Sequence, residues 1–126
     1  MIVMDKKKIM VIDDDPNNIR EIRDVLEPRG YLVVFASDGQ SGVEKIKNHR
    51  PDIILLDLVL PGQSGFKIAQ EIRAMPGSQD IPIIAISLKR EDIDKHIAAH
   101  SGIVEYVEKP INYDRLLYHI KDILGE

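Results

Sequence analysis

Cysteine is absent from this chain. That excludes disulfides, thiolate metal sites and a cysteine nucleophile, and it fits a cytosolic protein. Tryptophan is absent too. A basic excess is also missing, because 17 Lys+Arg stand against 21 Asp+Glu for a formal net charge of −4. A nucleic-acid surface normally needs a concentrated basic face. The one basic run, Lys6-Lys7-Lys8, reads as a solvated lead-in to a strand. No long hydrophobic run occurs: the most apolar windows, 53–60 and 81–88, hold about eight residues each, and a bilayer span needs about 20. Met1-Ile2-Val3-Met4 meets Asp5 and the lysines too soon for a signal peptide. These absences imply a soluble, cytoplasmic protein without nucleic-acid or membrane partners. With 126 residues, 44% of them apolar, the chain suits a single domain over 1–126 with its core at about 8–124.

What is present is a repeated change of hydrophobic period. Ile9-Met10-Val11-Ile12 is a continuous apolar run, as expected of a strand buried on both faces. Asp15 is placed to cap a helix and Pro16 to begin it, with Ile19, Ile22 and Leu26 at helical spacing and Gly30 as the stop. Residues 32–36 read as a second strand. Asp38-Gly39 opens a helix carrying Val43 and Ile46 that ends before Pro51. Ile53-Ile54-Leu55-Leu56 forms a third strand closed by Asp57, Pro61-Gly62-Gln63 a loop, and Ser64 a cap for a helix bearing Ile68, Ala69 and Ile72. Strands at 82–87 and 104–107, a weaker helix at 91–99 and a last helix capped by Asn112 complete the series. Five strand–helix units with short loops predict an α/β fold, a doubly wound parallel sheet with helices on both faces. In such sheets ligands gather outside the carboxyl ends of the strands.

Polar residues appear where the apolar runs stop. The first strand ends in Asp13-Asp14-Asp15, the third in Asp57, the fourth in Ser87, and Lys109 follows the fifth. If the first and third strands are neighbours, Asp13, Asp14 and Asp57 crowd together, and like charges that close raise a pKa or demand a cation. All-oxygen ligation suits Mg²⁺ or Mn²⁺. A carboxylate, a hard divalent ion, a hydroxyl and a lysine together suit phosphoryl chemistry, with Asp57 as nucleophile and Lys109 and Ser87 meeting the phosphoryl oxygens. Taken singly, Asp15 is a helix cap, Lys109 a surface lysine and Asp57 ordinary turn chemistry. Their joint occurrence at successive strand ends favours the functional reading. His49, His96, His100 and His119 have no metal-ligand spacing and read as surface residues.

The stretches Val11-Ile12-Asp13-Asp14-Asp15-Pro16, Leu55-Leu56-Asp57-Leu58-Val59-Leu60-Pro61-Gly62, Ile84-Ala85-Ile86-Ser87 and Tyr106-Val107-Glu108-Lys109-Pro110 resemble response-regulator receiver domains of two-component signalling, the stand-alone CheY-like type in particular. That resemblance implies a flavodoxin-like (βα)₅ fold with strand order 2-1-3-4-5. It makes Asp57 the acceptor of a phosphoryl group from a phosphohistidine on a sensor histidine kinase or histidine phosphotransfer protein. Asp14 and Asp57 would bind Mg²⁺ directly with the Val59 carbonyl, and Asp13 through water. Ser87 and Lys109 would contact the phosphoryl group, Tyr106 would be an aromatic switch coupled to Ser87, and Lys109–Pro110 would be cis. The implied protein is a signalling receiver that catalyses only its own phosphorylation and dephosphorylation. It would be a monomer or a weak phosphorylation-dependent dimer.

The implied output face is the fourth helix, fifth strand and fifth helix, here including Lys89, Arg90, His96, Glu105, Tyr106 and Tyr113. Upstream recognition would use Asn17, Asn18 and Ile19, with Ile111 either an exposed anchor or packed inward. The chain departs from the usual pattern at Leu88, Ile103 and Ser64, and Val59 and Lys89 stand where the family tunes dephosphorylation. Three other readings compete. A haloacid-dehalogenase-like phosphohydrolase would use Asp13 as nucleophile and leave Asp57 idle. A flavodoxin would need a phosphate loop where three carboxylates stand, and the last alternative is a docking module that is never phosphorylated.

Overall fold

In a computed structural model, residues 6–88 and 101–126 are described. Five parallel strands form one sheet: β1 (Lys8–Ile12), β2 (Leu32–Ala36), β3 (Ile53–Asp57), β4 (Ile83–Ser87) and β5 (Ile103–Glu108), in the order β2-β1-β3-β4-β5. This is the doubly wound flavodoxin-like order implied by the resemblance to receiver domains. The three central strands are the apolar runs. Every residue of β3 and β4 is buried, whereas β2 and β5, at the two edges, are partly exposed. A strand with helices over both faces can be apolar at every position, which is why these segments do not alternate.

Successive side chains on β1 part to opposite faces. Ile9 and Val11 join Ile53, Leu55, Ile84 and Ile86 beneath α1 (Pro16–Leu26) and the C-terminal helix (Tyr113–Leu124). Met10 and Ile12 join Ile54 and Leu56 beneath α2 (Gly39–His49) and α3 (Gly65–Ala74). Each helix begins on a side-chain oxygen that accepts an otherwise orphaned amide: Asp15 from Asn17, Asp38 from Ser41, Ser64 from Phe66 and Asn112 from Arg115. The α1 segment tightens into a 3₁₀ turn (Glu27–Arg29) before Gly30, whose φ of 93° is the left-handed stop foreseen there.

Two local features differ from the sequence reading. Gln63 is not loop, because Val59–Leu60 pairs antiparallel with Gln63–Ser64 around a Pro61-Gly62 turn. Gly62 has φ 71°, the conformation a proline–glycine turn requires at its third position. The last strand runs Ile103–Glu108, longer than expected, with a register irregularity opposite Ile83 and Ile84. The helix expected at 91–99 lies outside the described residues, as do Lys89, Arg90, His96 and His100.

Candidate functional site

Parallel pairing of β1 with β3 and of β3 with β4 sets the carboxyl ends of three strands side by side. Asp13, Asp14 and Asp57 consequently each present a carboxylate oxygen, all within 4.8 Å of one another. Asp13 is 1% exposed and Asp57 4%, while Asp14 faces solvent. The Asp13 carboxylate accepts from the Asp15 amide at 2.9 Å and from Asn18 Nδ2 at 3.5 Å. One oxygen of Asp57 accepts from the Val59 amide at 2.9 Å. The other accepts from Lys109 Nζ, also at 2.9 Å, and the same ammonium stands 3.7 Å from Asp13.

Burial raises the Asp13 pKa above the ordinary aspartate value; the Asp15 amide and Lys109 oppose the rise, and the charge of Asp57 adds to it. Burial on its own would depress Lys109, but the hydrogen bond to Asp57 and the charges of Asp13, Asp57 and Asp14 raise its pKa above the ordinary lysine value. The ammonium is therefore held firmly protonated among three carboxylates. One cation against three anions leaves the pocket short of positive charge. Hard oxygen donors with that deficit fit a small divalent ion such as Mg²⁺.

Backbone geometry holds the surrounding pieces in place. The Lys109 amide donates to the Ser87 carbonyl at 2.8 Å, which couples the end of β4 to the lysine. The Leu58 amide donates to Ile86 at 3.1 Å. α3 starts against this turn, and a Cβ on Gly65 would lie 2.5 Å from the Leu58 Cα and 2.6 Å from the Asp57 carbonyl, so only glycine fits there. Ser87 is buried, and the side chains of Val59 and Leu88 are exposed at the rim. Tyr106 packs beside Leu58, Ala85, Phe66 and Ile103, and Lys109–Pro110 is cis.

These observations place the predicted residues at one end of the sheet and refine some of them. Ile111 packs against the α1-side core, which resolves that alternative. Tyr113, expected on the output surface, is half-buried against the same core, and burial together with Glu21 raises its pKa above the ordinary tyrosine value. Asn18, considered only as a partner contact, supports Asp13 from α1. An asparagine one turn into a helix that follows an acidic strand end was the available signal. The direct Lys109–Asp57 pair was not anticipated, because sequence gives no measure of how far Lys109 reaches. A phosphohydrolase using Asp13 as nucleophile would leave Asp57 idle, whereas the Lys109 ammonium lies closer to Asp57, at 2.9 Å, than to Asp13, at 3.7 Å.

The family model described as "Response regulator receiver domain" matches residues 9–121. The chain belongs to this family. Among curated receivers it is 30% identical over 118 residues to Protein PilH of Pseudomonas aeruginosa, covering 94% of this chain and 98% of that protein. It is also 30% identical over 120 residues to the polar-differentiation response regulator DivK of Brucella anthropi, covering 95% and 98%. Among solved structures, the receiver domain of sensor histidine kinase PA1611 from Pseudomonas aeruginosa superposes with a TM-score of 0.86 at 29% identity, covering 97% of this chain and all (100%) of that one. That receiver holds a magnesium ion coordinated in its active-site cleft. The present chain is thus a receiver domain of two-component signalling, with an acidic pocket at the carboxyl end of its sheet. Among the described residues no helix is long and apolar enough to cross a membrane.

Proposed function

We propose that this receiver takes a phosphoryl group onto Asp57 from a phosphohistidine of a sensor kinase or phosphotransfer protein. The observation carrying this reading is the Lys109–Asp57 pair at 2.9 Å, set among two further carboxylates at adjacent strand ends. An Asp57 oxygen attacks phosphorus, the phosphorus–nitrogen bond breaks, and its electron pair returns to the donor imidazole. Lys109 offsets charge on the phosphoryl oxygens, and the Ser87 hydroxyl donates to one of them. Asp13, Asp14, Asp57 and the Val59 carbonyl would hold Mg²⁺, or Mn²⁺, which supplies further charge neutralisation. Asp13 would do so through water.

The new charge and acceptor oxygens draw Ser87 and Lys109 toward Asp57. Because the Lys109 amide is bonded to the Ser87 carbonyl, the ends of β4 and β5 move together. Tyr106, one strand position beyond Glu105, carries that movement to an output face that includes β5 and the C-terminal helix. The whole chain, 1–126, acts as one cytoplasmic domain, monomeric or weakly dimeric when phosphorylated. It turns over no separate substrate.

Intact-mass analysis after incubation with acetyl phosphate and Mg²⁺ tests the reading. Wild type should gain one phosphoryl group, whereas Asp57→Asn and wild type with chelator should gain none. Equal uptake by Asp57→Asn would place the acceptor elsewhere. No uptake by folded wild type, from acetyl phosphate or a phosphohistidine donor, would make the chain a docking module.

A further inference from the structure

A second concavity lies beside the acidic site, between α1 and the end of β2. Its volume is about 270 Å³, and Pro16, Ile19 and Phe35 supply its apolar walls. Arg20 and Arg23 stand on the same lining, and Asp14 closes the end toward the acidic site. Phe35 sits on an edge strand and remains 40% exposed. Two cations attend its ring: the Arg23 guanidinium lies 5.3 Å from the centroid and the Lys45 ammonium 5.4 Å.

The cations differ in what already holds them. Arg23 pairs with Glu27 at 2.8 Å, and Lys45 donates to the Phe35 carbonyl at 2.7 Å. Arg20 is exposed, and no carboxylate pairs with it among the described residues. A chain of net charge −4 therefore sets two cations against one solvent-facing aromatic and leaves the Arg20 guanidinium on the same pocket lining uncommitted. An apolar hollow with a few oriented polar groups is the ordinary form of a small-ligand site. Its size admits a one- or two-ring molecule rather than a long chain.

We propose that this α1–β2 pocket binds a small planar aromatic carboxylate, its rings against Ile19 and Phe35 and its carboxylate on Arg20. Charge complementarity selects the anion: a carboxylate meets Arg20 in a charge-assisted pair, which a neutral molecule forgoes. The apolar walls select the rings. The proposal does not rest on phosphoryl transfer, and it is tested without any phosphodonor.

The full chain, labelled with ¹⁵N, is titrated with 2-naphthoate and, separately, with its neutral analogue 2-naphthylmethanol, while amide signals are followed by NMR. Saturable shifts confined to residues 14–23 and 33–37 are expected. Arg20→Ala should weaken the naphthoate affinity about tenfold, as should replacing the acid by the alcohol. Phe35→Ala should weaken it about fivefold, with the variant's melting curve confirming its fold. Shifts that never saturate, or affinities indifferent to Arg20 or to the carboxylate, overturn the proposal. So does the appearance of the same shifts when the chain alone is concentrated, which would make a second copy the occupant. Shielding of these residues by a phosphohistidine domain, with naphthoate leaving them unmoved, makes the occupant a protein and equally overturns it.

Discussion

Replacing Asp13 by asparagine should stabilise this receiver when no divalent cation is present. The Asp13 carboxylate lies within 4.8 Å of the carboxylates of Asp57 and Asp14, and 3.7 Å from the Lys109 ammonium. With an effective dielectric of about 20, repulsion from Asp57 is about 3.5 kcal/mol and attraction to Lys109 about 4.5 kcal/mol. The exposed Asp14 is better screened and adds a smaller repulsion. These pairwise effects nearly cancel, so the cost of burying the charge decides the sign. At 1% exposure that cost is several kcal/mol before the Asp15 amide offsets part of it. Asparagine keeps an oxygen for that amide and sheds the charge, for a net gain of about 1–2 kcal/mol. For a chain of this size the melting temperature should rise by roughly 4–8 °C in chelator. Saturating Mg²⁺ should reverse the order, because an ion at a hundred times its dissociation constant adds about 2.7 kcal/mol to the form that binds it. Calorimetric scans of both proteins with chelator and with Mg²⁺ check both halves. An Asp13→Asn variant that melts at or below wild type in chelator would refute the argument that burying the Asp13 charge is a net cost.

Two further outcomes follow from other parts of the molecule. Val59 is 67% exposed beside Asp57 and has no side-chain hydrogen bond to offer an attacking water, so Val59→Asn should shorten the phosphoryl lifetime about threefold to tenfold, equivalent to about 0.7–1.4 kcal/mol of barrier. Release of inorganic phosphate from the purified phosphoprotein measures this, and equal lifetimes remove the argument. Tyr31 is buried and donates to Glu126 at 2.7 Å, which together push its pKa up to about 12. Because the folded value lies above the ordinary one of about 10, the associated stability is whole below pH 10 and disappears as pH rises through about 12. Ultraviolet titration should show late-titrating tyrosines in wild type, of which Tyr31→Phe removes one while the raised Tyr113 remains; a tyrosine population that titrates entirely near 10 contradicts it.

The doubly wound parallel sheet was legible because apolar runs of four or five residues, each ended by a carboxylate or hydroxyl, alternate with helical spacing, whereas the strand order followed only from the resemblance to receiver domains. Ile9–Ile12, Ile53–Leu56 and Ile83–Ile86 carry the apolar pattern themselves. The caps Asp15, Ser64 and Asn112 were legible for the same local reason. Long-range packing was not. Nothing in the sequence says that Tyr113 turns toward Glu21, that Ile111 folds inward, or that Gly65 is required by the Leu58 backbone. The Val59–Leu60 ribbon was hidden because a Pro-Gly turn within a few residues looks the same whether or not its flanks pair. Of the site, residue identities could be read, but the sharing of Lys109 between two carboxylates could not.

In the proposed function, that sharing would let so small a chemical change alter the fold's surface. Lys109 is the cation found nearest Asp57 among the described residues, and it answers to two anions at 2.9 and 3.7 Å. In the proposed reaction the phosphoryl oxygens add a third claimant that is more highly charged and extends beyond the carboxylate. An ammonium on a flexible stem follows the strongest nearby anion at little cost. Its backbone is less free, being tied through its own amide to the Ser87 carbonyl and followed at once by Pro110, which has no amide to donate. Movement of the lysine head is thereby passed to the ends of β4 and β5, the strands that carry Ser87 and Tyr106. A methionine at position 109 keeps the apolar stem and loses the charge. It should leave Asp57 able to take up a phosphoryl group slowly, while NMR signals of β5 stay where they were before phosphorylation. If those signals still move fully in Lys109→Met, the lysine does not transmit the change.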